Sequence, residues 1–503
     1  MDEAFSSIFV YGYRGFIRIL SILDSHPKPM QQKSTLKIGA YLSLAIFGLL
    51  LYGAIYFYAE RMFFADSSPI AFQAINEEKL QIQQYRFGAF ITQMVPILGA
   101  KIGLSVKNIL IAYSASFNVF YLFVAALMLF VFRNYRLVIL YAFYWTLVTT
   151  YTFFWPNNEV HQGIAYMFLL FSLLKWLGEK KVNFVISVLS LLLLGSTAIF
   201  CHPLVLPPLF FLWVYLIAEK DHWYYNRQQT IILSLVLIVV AVTKMYVSQV
   251  YAGYDKELLG GVGGLSLSAV SGVFSSQLAK DIFHFAYVNY WILPVLGAAG
   301  IITLLVKRHF FLAVWTFGCA LLFFILLCLT FKGYSEFYTE SEIMPGIVIL
   351  TAPFVFVTLK LMRSGFVAIL LLLIFGLRIQ HFIETNGHFS FRVQHLANMV
   401  AKMKDKNLTK VVLVKSDTNV EWRWMVEWGF ASETIMISAA NWDKPVRQFV
   451  IMAPGELEKR LPKNNSDVIA CFSTWPIEKV NMTHFQFDTT QPYAVLSYEE
   501  FIK

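Results

Sequence analysis

KIGAYLSLAIFGLLLYGAIYFYAERMFFADSSP, residues 37–69, decides how the rest of the chain is read. Residues 37–58 carry a single charge, Lys37, at their first position. About 20 apolar residues are enough to cross the hydrocarbon of a bilayer. The run ends at Glu60 and Arg61, and a carboxylate, Asp66, follows within a few residues. A span with an acid at its far edge sets both the solvent of the fold and the place to look for chemistry.

The same kind of run recurs along the chain. Candidate spans are 37–58, 108–132, 137–155, 160–177, 182–200, 204–218, 229–248, 286–306, 310–331, 343–360 and 364–384. The run at 204–218 is the shortest and is flanked by Pro203, Pro207 and Pro208. Composition agrees: 58% of the residues are hydrophobic and 14% charged, against roughly 45–50% and 25% in soluble domains. That much apolar surface needs an apolar solvent. The fold class read here is a polytopic α-helical membrane protein of about eleven transmembrane helices with a small C-terminal α/β extracytoplasmic domain.

The net charge of +9 does not point to nucleic acid. The cations gather in alternate turns: Lys28, Lys33 and Lys37, Arg133 and Arg136, Lys175, Lys180 and Lys181, Lys220 and Arg227, Lys307 and Arg308, Lys360 and Arg363. The other turns, near Asn157, His202 and Tyr334, hold almost none. Positive charge marks the cytoplasmic side. The N-terminus is therefore expected inside, and eleven spans put the C-terminus outside. A bacterial inner membrane is the expected location, the chain showing no eukaryotic retention signal.

Three domains are expected. Residues 1–36 place Ser7, Tyr11, Arg14, Arg18, Ser21 and Ser25 on one helical face and Phe5, Phe9, Phe16, Leu20 and Leu23 opposite, the pattern of a cytoplasmic interfacial helix. Residues 37–385 form the membrane domain, with long outer connections at 59–107 and 249–285. The first reads as one or two helices lying on the outer leaflet. The second contains Gly260, Gly261, Gly263 and Gly264. Residues 386–503 form the outer α/β domain, with strands at 410–415, 448–452, 467–472 and 494–498 and helices at 391–404 and 455–461. Trp422, Trp424 and Trp428 read as core or interface packing first, with a sugar-stacking face as the alternative. Cys201, Cys319, Cys328 and Cys471 lack metal-ligand spacing and read as packing residues.

Charges beside spans are costly and call for a reason. Acids and histidines collect at the outer turns: Asp66 in FFADSSP, Glu159 and His161 in WPNNEVHQ, His202 in FCHP, and Glu336, Glu340 and Glu342 in GYSEFYTESEIMP. Arg378, His381 and Glu384 follow at i, i+3, i+6 on the last span. Taken one at a time, each also has a plain structural role as a helix cap, a salt bridge or a solvated turn.

This layout resembles the GT-C superfamily of membrane glycosyltransferases, which includes protein mannosyltransferases and the aminoarabinose transferases of lipid A. In that family an acidic residue follows the first span, interfacial helices come next, and a soluble domain is often attached at the C-terminus. Asp66 matches that position, Glu159 the further acidic position, and Glu340 with Pro345 the charged residue and proline before a late span. The resemblance implies a polyprenyl-phosphate-linked sugar as donor and a lipid, glycan or protein as acceptor. It makes Asp66 and Glu159 the catalytic pair, and a carboxylate base is suited to activating an acceptor oxygen. Arg378 and His381, with Arg86 and Lys101 in reserve, are the expected donors to the phosphate. His161, His202, Glu336, Glu340 and Glu342 are expected to line the cavity. No cofactor is implied with certainty. Ser67 stands where many members carry a second acid, which leaves open whether a divalent cation, Mg or Mn, takes part. The outer domain lacks the WWD-type motif of oligosaccharyltransferases, so protein N-glycosylation is not expected. Two other classes remain beside this one: a transporter or lipid flippase, to which Lys244 would matter, and a non-catalytic membrane assembly protein.

Overall fold

A computed structural model describes residues 29–219, 221, 223–257, 266–331, 333, 336–414, 427–470 and 473–502. The expectations for residues 1–28, the glycines between 260 and 264, Tyr334, Cys471, Trp422 and Trp424 lie outside the described residues, and so does the side chain of Glu336.

Among the described residues seven helices are long and apolar enough to cross a membrane, or eight if one sharply bent pair is a single span. The chain opens with α1 (Pro29–Tyr56) and, after a short turn of helix at Tyr58–Met62, α2 (Ser67–Glu77) and α3 (Phe90–Lys101). Next come α4 (Val106–Ala126), α5 (Tyr135–Thr146), α6 (Glu159–Glu179), α7 (Phe184–Ile199), α8 (Leu206–Glu219) and α9 (Arg227–Tyr251). The second half holds α10 (Gln277–Tyr290), α11 (Ile292–Val306), α12 (Phe310–Thr330), α13 (Glu336–Pro353) and α14 (Ser364–Asp405). In the span that contains α13, 89% of the apolar window is buried, against 28% for α9. The first therefore occupies the centre of the bundle and α9 its lipid-facing edge.

The expected count of eleven spans is met only in part, because four of the runs are not single long helices. The run 182–200 is the 16-residue α7, interrupted by a π turn at Leu191–Gly195, and 204–218 falls in a helix of 17 residues. The run 286–306 divides at Trp291, where α10 and α11 meet at 93°. The run 137–155 stops as a helix at Thr146, and the chain unwinds through 147–151.

A broken helix inside the bundle exposes backbone groups that lipid cannot satisfy. Two buried charged side chains supply the partners. Arg378 donates from Nε to the carbonyl of Thr146 (3.0 Å) and from Nη1 to that of Asn289 (2.9 Å), the ends of α5 and α10. Glu340 accepts the backbone N–H of Thr150 (2.8 Å), Tyr151 (3.0 Å) and Thr152 (2.7 Å), and the hydroxyls of Thr152 and Tyr290 as well. Arg61, fully enclosed, donates to the carbonyl of Phe153 and to Ser114 and Asn118. Together these pin the turn at 150–154, which carries Trp155, Asn157 and Glu159.

In the first long connection α2 is buried, whereas α3 buries one face only. Phe87, Phe90, Ile91, Met94 and Leu98 leave an exposed apolar stripe, as suits a helix at a membrane interface.

Helix α14 runs 42 residues without a break, about 63 Å at 1.5 Å per residue. It therefore carries straight through residue 385 into the C-terminal domain. There β1 (Lys410–Val414) is flanked in parallel by β2 (Gln448–Met452) and by β5 (Ala494–Ser497), while β3 (Val468–Ala470) and β4 (Ser473–Trp475) form an antiparallel hairpin. Helix α15 (Phe430–Ala440), buried on every side, was not expected from the sequence. The domain is seated on α2. Asn76 exchanges hydrogen bonds with the Lys479 carbonyl (2.9 Å) and the Asn481 amide (2.6 Å), and Phe72 packs on Trp475 and Phe485.

Candidate functional site

A cavity of about 380 Å³ opens at the end of the bundle where α1 stops and α6 begins. Asp66, Arg86, Trp155, Glu159, His202, Tyr254, Tyr338, Glu342 and Trp428 contribute to its wall. They come from both long connections, two spanning helices and the C-terminal domain.

Asp66 sits at the N-terminal end of α2, just after Ala65, whose φ of 43° is in the left-handed region. A residue with a Cβ adopts that backbone only when held there. The hold comes from the C-terminal domain. The Ala65 amide donates to Glu433 Oε1 (2.9 Å), and Glu433 is fully buried and paired with Arg392 at 2.6 Å. Arg392 in turn stacks between Phe64 and Phe430. The carboxylate of Asp66 accepts from Trp155 Nε1 at 3.0 Å. Burial first, and then the Glu159 carboxylate, push its pKa up to about 6; Trp155 and Arg86 oppose the shift without cancelling it. A carboxylate poised there changes protonation close to neutral pH, as a general base requires.

Arg86 is the hub of the opposite wall. Its Nη1 meets Glu159 Oε2 at 2.9 Å and its Nη2 meets Asp255 Oδ1 at 2.8 Å. These two carboxylates hold the guanidinium well above its ordinary pKa despite burial. Asp255 also takes Lys244 (3.4 Å) and Ser248 (3.3 Å) from α9. Gly88 lets this loop press against α7: a Cβ there would collide with the Thr197 carbonyl. His202 accepts the Leu204 amide at Nδ1 (3.1 Å), which leaves the proton on Nε2. Burial, then Arg86 and Lys244, hold it well below the usual imidazole range, so it stays neutral.

Of the residues expected in the site, the cavity wall includes Asp66, Arg86, Glu159, His202 and Glu342. The others stand elsewhere. Glu340 and Arg378 are not on the cavity wall but in the buried network that closes the broken helices. His161, on α6, is sealed in the core against Tyr144 (2.8 Å). Lys101 is exposed at the end of α3, and His381 lies beside Tyr290 on α14. Asp255, Trp155, Tyr254 and Tyr338 join the site without having been expected there, and Trp428, read first as packing, is on the cavity wall as well.

The arrangement combines aromatic faces with carboxylates and one shared guanidinium. Three acids, Asp66, Glu159 and Glu342, face one cation, Arg86, on the cavity wall. Adding the Asp255 and Lys244 pair leaves the surplus acid unchanged. Such a lining suits a polyhydroxylated ligand, with ring faces on aromatics and hydroxyls on carboxylates. Among the described residues no three His, Cys, Asp or Glu side chains stand close enough to hold a metal ion, so the protein groups do not fit a ready-made cation site.

No protein-family model matches this chain, and neither a curated protein nor a solved structure matches it.

Proposed function

We propose that this protein is a membrane glycosyltransferase of GT-C type that moves a sugar from a polyprenyl-phosphate-linked donor to a lipid, glycan or protein acceptor. The observation that carries the reading is the Asp66 carboxylate, raised to a pKa of about 6 in an aromatic-lined cavity at the end of the first span. Asp66 takes the proton of the acceptor hydroxyl. The acceptor oxygen attacks the sugar's anomeric carbon, whose bond to the phosphate oxygen breaks, and the polyprenyl phosphate leaves with the electron pair. Arg86 and the Nε2–H of His202 are the donors at hand for that phosphate. Glu159 keeps Arg86 in place, and Arg378 and His381 do not take part in phosphate binding. Trp155, Tyr338 and Trp428 bear on the sugar ring.

In this reading α7, α8, the bent pair α10–α11, and α5 together with the turn that follows it also cross, which adds four spans to the seven long helices and restores eleven. The basic turns then face the cytoplasm, and the cavity and C-terminal domain face the outside of a bacterial inner membrane.

The test uses purified full chain in nanodiscs with a panel of polyprenyl-phosphate sugars and a mixed acceptor extract, read by mass spectrometry. Wild type is expected to consume one donor, and Asp66→Asn, folded to the same degree, to do so about 10²–10⁴-fold more slowly. Full activity in the variant removes Asp66 as base. The absence of consumption by either protein across the panel removes the transferase reading.

One observation favours a second reading, a transporter: Lys244 on lipid-exposed α9 is buried and paired with Asp255 beyond the end of that helix, which is tied to the same Arg86. Substrate flux into proteoliposomes with no covalent product would select it.

A further inference from the structure

A second polar cavity, of about 600 Å³, lies at the other end of α6, where Lys175 and Lys180 stand. The 21 residues of α6 separate the two cavities by about 30 Å. Four cations, Arg133, Arg136, Lys175 and Lys180, line it against two acids, Glu179 and Asp221. Behind them Glu219 accepts from Arg136 (2.8 Å) and Lys360 (3.1 Å), a pairing that adds one acid and one base and leaves the positive surplus standing. The surplus calls for an anion.

Two further features narrow the anion. Asn134, only 2% exposed, lines the cavity. Its Nδ2 reaches Ser172 at 3.4 Å, while its Oδ1 has no hydrogen-bond partner. An orphaned buried acceptor is costly and wants a hydroxyl or ammonium donor, which a phosphodiester alone does not bring. A headgroup ammonium would meet the surplus cations, so a hydroxyl is the fitting donor. The lip of the cavity is apolar: Phe130 and Val131, 55% and 48% exposed, continue the lipid-facing side of α4. Acyl chains have a surface to lie on there, and a soluble anion gains nothing from it.

We propose that this cavity binds an anionic glycerophospholipid whose headgroup carries hydroxyls, of the phosphatidylglycerol type. The phosphate sits among Arg133, Lys175 and Lys180, a headgroup hydroxyl donates to Asn134 Oδ1, and the chains cover Phe130 and Val131. The site is independent of the reaction at Asp66.

The test is native mass spectrometry of the detergent-solubilised full chain with phosphatidylglycerol, phosphatidylcholine, phosphatidic acid or glycerol 1-phosphate. Phosphatidylglycerol is expected to be retained at one per chain and phosphatidylcholine not. Arg133 and Lys180 are exposed, so R133Q/K180Q keeps its melting temperature, and it loses phosphatidylglycerol by about 10- to 30-fold. Asn134→Ala weakens phosphatidylglycerol but not phosphatidic acid, which lacks the headgroup hydroxyls. Equal retention of phosphatidylcholine, or undiminished phosphatidylglycerol on R133Q/K180Q, overturns the proposal. Displacement by glycerol 1-phosphate at equal concentration also overturns it, by making the occupant a soluble anion.

Discussion

The Asp66 cavity and the Glu340–Arg378 network hold the same kinds of side chain a short way apart, yet they differ in what those side chains have left to give. Glu340 receives three backbone amides and two hydroxyls. Arg378 spends its donors on two helix-end carbonyls and the Thr150 hydroxyl (2.7 Å). Glu340 and Arg378 are buried, and neither is on the cavity wall. Asp66, by contrast, has one indole donor on its carboxylate and a cavity before it. A buried charge whose valences are filled by backbone holds a fold together, whereas one facing a cavity remains available to a ligand. Membrane depth makes the first role necessary, because a broken helix there has no water to turn to.

The largest expected effect follows from filling those valences. Glu340→Ala leaves three amides without an acceptor and is expected to cost about 3–5 kcal/mol, seen as loss of monodisperse protein in detergent. Glu340→Gln keeps one oxygen for the amides and is expected to lose less, on the order of 1–3 kcal/mol. If Glu340→Ala instead melts like wild type and only donor consumption fails, Glu340 belongs to the reacting site and the contrast between the two regions breaks.

A smaller effect is expected where the two kinds of role meet. Glu433 is a buried structural carboxylate, yet its amide contact fixes Ala65 in the left-handed region next to Asp66. Glu433→Gln retains an acceptor for that amide and leaves Arg392 without its counter-charge. A loss of about 2 kcal/mol is expected, with donor turnover falling roughly tenfold through misplacement of Asp66. A purely structural Glu433 would lower melting temperature while the surviving folded fraction turned over at the wild-type rate.

How much of this could be read from the sequence follows the same division. Strands at 410–415, 448–452 and 494–498 were legible within a residue, because β-rich apolar runs between polar turns signal themselves locally. Asp66 and Glu159 were legible as candidates, and both are on the cavity wall, because a carboxylate beside a span is conspicuous. The break of 137–155 was not, since Leu147 to Phe154 remain apolar or hydroxylic and the groups that permit the break lie far along the chain. Nor was the sorting of Arg378 and Glu340 away from the cavity, for spacing along one helix does not say what a side chain meets across the bundle. Asp255 went unnoticed in a glycine-rich connection, and Trp155 was hidden inside an apolar run. Helix α15 gave no periodic signal because it is buried all round.

The smallest effect probes the one hydrogen bond that distinguishes Asp66 electrostatically. Burial holds its pKa near 6, above the ordinary aspartate value of 3.8, and the Trp155 indole pulls against that shift. Because the folded state binds this proton more tightly than the unfolded chain, Asp66 favours folding most below pH 4. That contribution is lost as pH rises through 4 to 6. Under the proposed transfer, activity runs the other way: a protonated Asp66 could not take the acceptor's proton, so turnover should climb with pH about a midpoint near 6. Trp155→Phe keeps an aromatic face on the cavity wall and removes the N–H. The carboxylate then loses the donor that favours its charged form, and the midpoint should move upward by about half to one unit. Turnover at pH 8 should stay close to wild type. A pH profile that keeps its midpoint in Trp155→Phe would mean that the rising limb belongs to another group. A limb that survives in the residual activity of Asp66→Asn would say the same, and Asp66 would then join Glu340 among the charges that only hold the fold.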